Sequence, residues 1–135
     1  MKRASLTLTA ILLALPSGVA AQHWTPAQEK RTSQTYEACM DGARGEIPPM
    51  FPCSDAEYEV QDAKLNEAYR MVMTRLPQTR RITLRTSQRK WMRTRDTTCQ
   101  RAWEDAGGGQ VSELERKSCM LRETIARTMW LERYR

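Results

Sequence analysis

Few side chains in this 135-residue chain could do chemistry: four cysteines (Cys39, Cys53, Cys99 and Cys119), a single histidine (His23) and scattered carboxylates. Four thiols can hold a metal or form two disulfides. A zinc site needs ligands that converge and stay reduced, and no Cys-x-x-Cys pair is present. The start of the chain argues for oxidation. Lys2 and Arg3 precede an apolar run from Leu6 to Leu15 that is too short to span a bilayer, and Val19-Ala20-Ala21 supplies the small residues of a signal cleavage site. Residues 1–21 are therefore expected to be a signal peptide, leaving a domain of residues 22–135 in a periplasmic or secreted setting with no stable membrane anchor. In that setting the cysteines read as two disulfides, with no metal and no cofactor.

Catalysis lacks its usual parts. His23 falls at the expected mature terminus, so neither a Ser-His nor a Cys-His nucleophile can be built around it. Paired carboxylates could serve glycosidase-type acid–base chemistry, and Glu57, Asp62, Asp96, Glu104 and Asp105 are available. Their distribution reads instead as solvated charge on helix faces, and the chain reads as a non-enzyme. The formal charge of +6 falls to +4 once Lys2 and Arg3 are removed. A mixed basic surface of this kind admits acidic lipid, anionic cell-wall polymer or an acidic protein, while export argues against nucleic acid.

The elements that must position these residues are helical throughout. Thr25-Pro26 with Gln28 marks a short helix start, and Gly42, Gly45, Pro48, Pro49 and Pro52 read as a loop after it. Ser54 and Glu57 have capping-box spacing, which predicts a long helix from there to Pro77, with Tyr58, Leu65, Tyr69, Val72 and Leu76 on its apolar face. A second helix is expected from about Thr79 to Ala106, facing inward through Leu84, Trp91, Cys99 and Ala102. Gly107-Gly108-Gly109 breaks it. Ser112 and Glu115 repeat the capping-box spacing, and Leu114, Leu121, Ile125, Thr128 and Met129 carry a third stripe toward an apolar end at Trp130, Leu131 and Tyr134 that is expected to be exposed. The fold class is all-α: a small, disulfide-stapled, three-helix antiparallel bundle with a short N-terminal helix and loop.

Spacing selects one of the three possible cysteine pairings. Cys99 and Cys119 are equidistant in sequence from Gly109, so both sit roughly 15 Å from the hairpin apex at about 1.5 Å per residue. They should bridge the hairpin, leaving Cys39 and Cys53 to close the Pro-rich loop, with Arg44 inside it.

Cys53-Ser54, Leu65-Asn66 with Tyr69, then Leu84, Gln88, Trp91, Arg95-Asp96 and Cys99, and finally Cys119 with Arg122 form a pattern that resembles the LprI-like lysozyme-inhibitor family of small secreted bacterial helical domains. The resemblance runs from about Cys39 to Leu131 and implies an envelope protein with lysozyme as a partner. The chain departs from lipoprotein members in having no lipobox cysteine after the signal. Physically, Asn66 and Tyr69 on one helix and Gln88, Trp91 and Arg95 on the next form two ridges able to face each other in a hydrogen-bonded scaffold, with Arg95 over Trp91 and Asp96 turned away toward Arg122 or a helix end. Inhibition would need a basic side chain on a constrained loop, for which Arg44 is the candidate. Against it, animal lysozymes are basic, so a positively charged partner loses long-range steering. The alternative is a general envelope binding module that uses Arg80, Arg81, Arg85, Arg89, Lys90 and Arg93 to grip an anionic polymer or an acidic protein.

Overall fold

Apolar periodicity resolves into five helices among residues 23–135, the part of the chain that the computed structural model describes: α1 (Pro26–Glu29), α2 (Gln34–Gly42), α3 (Ile47–Arg75), α4 (Gln78–Asp105) and α5 (Gly109–Glu132). The expected signal segment, residues 1–21, lies outside the described residues. No described residue is in a strand. Among the described residues no helix is long and apolar enough to cross a membrane, and no cluster of His, Cys, Asp or Glu could hold a metal ion.

Helices α3, α4 and α5 make the bundle, with α5 packed against both others. Cys99 of α4 pairs with Cys119 of α5, their Cα atoms 5.4 Å apart, which sets these helices antiparallel. Asp55 meets Lys117 near one end of α3 and Arg75 meets the Tyr134 carbonyl at the other, so α3 runs parallel to α5. The core follows the expected faces. Leu65, Val72, Leu76, Leu84 and Leu131 form one buried cluster, with Tyr69, Met73, Trp91, Trp130 and Tyr134 packed on it. The C-terminal apolar end is therefore core rather than the exposed patch expected, and Leu131 is fully buried. Thr124 and Thr128 satisfy their buried hydroxyls by donating to the carbonyls of Met120 and Thr124, one turn earlier.

The turns are built from residues that permit them. Gly107, Gly108 and Gly109 have positive φ values of 82°, 91° and 79°, a left-handed backbone that side-chain-bearing residues rarely adopt. Ser112 does not begin α5 as its capping-box spacing suggested. It lies inside the helix, fully buried, and its hydroxyl accepts the Gly108 N–H at 2.6 Å. Between α3 and α4, Leu76 and Pro77 are extended, and Arg81 Nε donates to the Leu76 carbonyl at 2.7 Å, placing a cation at the C-terminal end of α3.

The segment before Ser54 differs most from expectation. It is not a loop: α2 occupies Gln34–Gly42 and α3 already starts at Ile47. Pro48 and Pro49 fall in the first turn of α3, where amide hydrogens have no intrahelical acceptor and proline is tolerated. Pro52 sits further in. Ser54 is consequently a helix-interior residue whose hydroxyl donates to the Met50 carbonyl at 2.9 Å, and the supposed capping box with Glu57 does not form. The true cap of this region is Ser33, whose hydroxyl accepts the Tyr36 N–H at the head of α2. Thr25 and Gln28 do begin α1 as expected, and they do so through a capping box.

Candidate functional site

The Cys39–Cys53 pair, with Cα atoms 5.7 Å apart, ties α2 to α3 and brackets a sharp turn at residues 43–46. Ala43 is buried beneath the turn, while Arg44, Gly45 and Glu46 are exposed at its tip. The tip is fastened by Arg44 N–H to the Asp41 carbonyl at 3.1 Å and Glu46 N–H to the Ala43 carbonyl at 2.9 Å. Arg44 has φ 52°, the one positive φ outside glycine among the described residues, and Gly45 continues it at 84°. For a bulky L-residue this left-handed backbone costs roughly 1–2 kcal/mol. A guanidinium is thus presented on a short, braced, strained tip.

Two further anchors hold α2 in place. Glu57, buried on α3, accepts from Ser33 N–H at 2.9 Å and from the Ser33 hydroxyl at 2.5 Å, and Gln61 Nε2 adds a bond at 2.7 Å while also reaching the Arg31 carbonyl. Glu57 is therefore a structural acceptor rather than the solvated helix-face charge expected from sequence. The Arg31 guanidinium donates twice to the Glu132 carboxylate, at 2.8 and 2.6 Å, fastening the N-terminal arm to the end of α5. These donated bonds hold the Glu132 carboxyl below its usual range. Beside them, burial raises the Tyr36 hydroxyl pKa.

The motif residues gather around Trp91, but not as two facing ridges. Arg95 lies over the Trp91 ring at 5.0 Å, as expected, and Arg127 of α5 lies over it at 5.6 Å and over Trp130 at 3.9 Å. Arg127 Nε donates to Gln88 at 2.9 Å and a terminal nitrogen donates to Ser87 at 3.1 Å. Arg95 donates to the Tyr58 hydroxyl at 3.0 Å, joining α4 to α3. Tyr69 packs on the core from its half-buried position. Two expectations fail here. Asn66 is exposed and donates to Asp62 one turn back, outside the cluster. Asp96 does not turn away from Arg95; it accepts from Arg95 at 2.8 and 2.9 Å, because both side chains lean to the same edge of α4. Arg127 was missed from sequence, since spacing along α5 does not reveal which neighbour its buried face meets. Burial lowers the Arg127 pKa, its aromatic and amide neighbours replacing lost water.

Of the carboxylates considered for glycosidase work, Glu57 and Asp62 hold neighbouring side chains, Asp96 is paired with Arg95, and Glu104 accepts from Gln100. Of the basic residues considered for polymer binding, Arg80 reaches the Arg135 carbonyl and Arg81 the Leu76 carbonyl at the end of α3. Arg85, Arg89, Lys90 and Arg93 remain exposed along α4.

An uncharacterized protein of Rhizobium meliloti (strain 1021) is 29% identical over 93 residues, covering 59% of this chain and 67% of the relative. No solved structure matches the chain. The family model described as lysozyme inhibitor LprI matches residues 39–131, from the cysteine that braces the Arg44 turn through the buried Leu131, and the chain belongs to that family.

Proposed function

We propose that the mature protein is a secreted or periplasmic inhibitor of a basic lysozyme, non-enzymatic and exported with loss of residues 1–21. Membership of the family supports the target class, and two disulfides suit an oxidising compartment. The observation that carries the site is Arg44, a left-handed arginine on a disulfide-braced tip. A lysozyme cleft works through two carboxylates, and the planar guanidinium fork matches a carboxylate in a bidentate pair. Backbone strain persists where the surrounding structure imposes it, and such outliers concentrate at functional positions. The low cost of ordering a turn already held by a disulfide and two backbone hydrogen bonds favours tight insertion.

Charge distribution supports the same reading. Residues 34–59 contain six carboxylates against Arg44 alone, and Glu37, Asp41 and Glu46 stand exposed near the tip. The positive charge of the chain lies on other elements, so a basic enzyme meets a locally acidic face before Arg44 engages its cleft.

Three substitutions test this. Arg44→Ala should weaken inhibition about a hundredfold, the equivalent of a truncated interface anchor at ~2–3 kcal/mol. Arg44→Lys should fall between the two, since it keeps the charge without the fork. Arg44→Gly should weaken inhibition at least as much as alanine while leaving the fold as stable or up to about 1 kcal/mol more stable, because glycine relieves the left-handed backbone. Lysozyme assays beside thermal melts give both readouts; an Arg44→Gly protein that inhibits as well as the parent would refute the site.

A further inference from the structure

The exposed side of α4 carries a device that the Arg44 reading does not use. Residues 78–95 contain seven cations, six of them arginine, and no carboxylate. Arg81, Arg85, Arg89 and Arg93 follow one another at four-residue steps, so each stacks above the last along one helix edge, with Lys90 beside them. Like charges at this spacing destabilise their own helix. Arg81 is partly absorbed by capping the end of α3. Arg85, Arg89, Lys90 and Arg93 are exposed, and among the described residues none of these four side chains has a hydrogen-bond or ion-pair partner. Folding thus gains nothing from their charges and carries their repulsion.

We propose that this ladder is a docking surface for a linear phosphodiester polymer, distinct from the Arg44 tip and independent of it. Four residues of helix rise about 6 Å and turn about 40° past a full turn, so the guanidiniums form a row that slants across the helix surface with that axial step. A flexible chain with one diester every few bonds can match it, whereas a sugar polymer with one carboxylate per disaccharide spaces its charges more widely. Each diester offers two equivalent non-ester oxygens to a planar guanidinium fork, and the preference for arginine over lysine in the row follows from that geometry. Beyond Arg93 a shallow depression of about 290 Å³, bordered by Thr94, Thr97, Thr98 and Arg101, extends the row with the Thr94 and Thr98 hydroxyls as donors for ester oxygens, the Thr97 hydroxyl already donating to the Arg93 carbonyl. The outer face is polar apart from Ile82 and Met92, so docking is electrostatic, without insertion of an apolar face into a bilayer.

The test uses the mature, oxidised protein and purified poly(glycerol phosphate), with anionic phospholipid vesicles and duplex DNA as parallel arms. Binding to the polymer should weaken linearly in log–log form with salt, and the triple change Arg85→Gln, Arg89→Gln, Arg93→Gln should cut affinity at low salt by at least about tenfold and reduce the salt slope by roughly two, three phosphate contacts being lost. The same variant should melt at an equal or higher temperature, because it removes like-charge pairs. Replacing the three by lysine should retain part of the affinity. Arg44→Ala should leave polymer binding unchanged, which separates failure of this proposal from failure of the inhibitor reading. An unaltered affinity in the triple variant, or tighter binding to vesicles or duplex than to the polymer, would overturn it.

Discussion

Arg127 is a cation placed inside a helical bundle, and its surroundings explain why it can stay there. Two indole rings take its faces, at 3.9 and 5.6 Å, and Gln88 and Ser87 take its hydrogens. Arg127→Lys keeps the charge but has no planar fork to satisfy both acceptors while stacking, so a loss of about 1–3 kcal/mol is expected in denaturant unfolding. Trp91→Ala removes the ring shared by Arg95 and Arg127; being half-buried, it should cost about 3 kcal/mol, the low end for an aromatic truncation. A Trp91→Ala protein with the parent's unfolding midpoint would show that the stacked cluster is not structural. The Trp91–Arg95 contact was legible in the sequence because both residues lie on one helix four apart. The role of Arg127 was not, because it depends on which helix faces α5, and Asn66 was misplaced because a three-residue step to Tyr69 does not say which of the two faces the core.

At the scale of elements, α2 shows where sequence patterns mislead. Three prolines between residues 48 and 52 read as a loop, yet two of them sit in the first turn of α3, where a missing amide hydrogen costs little. Ser54 and Glu57 had the right spacing for a cap and the wrong place in the helix. Glu57 instead anchors Ser33, and this bond fixes where α2, and hence the Arg44 turn, stands against α3. Glu57→Gln keeps the shape but presents an amide N–H₂ among donors that need acceptors, an expected loss of about 1–3 kcal/mol. Hydrogen exchange should accelerate across residues 33–46 and inhibition should fall together with it; unchanged exchange there would mean that the disulfide alone positions α2. The arm ahead of α2 responds to acid. Arg31 lowers the folded-state pKa of Glu132 below its unfolded value, so the pair stabilises fully above the ordinary carboxylate range and is lost as pH falls through the lowered value. Both side chains are more than a third exposed, so screening limits the contribution to under about 1 kcal/mol. Exchange over residues 26–31 should rise in acid before the bundle unfolds, and Glu132→Gln should show that faster exchange already at neutral pH.

For the whole molecule, the hairpin pairing of Cys99 with Cys119 and the three inward faces were readable, since cysteine spacing about a glycine turn and helical periodicity are both local signals. The arrangement of charge was not, because net charge averages over faces that only the fold separates. The structure divides it: the α2 end is acidic around Arg44, while the first eighteen residues of α4 are purely cationic. The net positive charge that argued from sequence against approach to a basic lysozyme is therefore local to α4. Opposite substitutions should then have opposite kinetic effects. Neutralising Glu37, Asp41 and Glu46 to their amides should slow association with a basic lysozyme at low salt, whereas the Arg85, Arg89 and Arg93 glutamine variant should speed it, each by a few-fold to about tenfold. Dissociation should change little in the second case, since those side chains stand away from the proposed contact. Both effects should shrink as the Debye length falls to about 8 Å at physiological salt. Stopped-flow measurements across salt concentrations decide it: if both triple variants shift the association rate in the same direction, the bipolar account of encounter is wrong even where Arg44 proves essential.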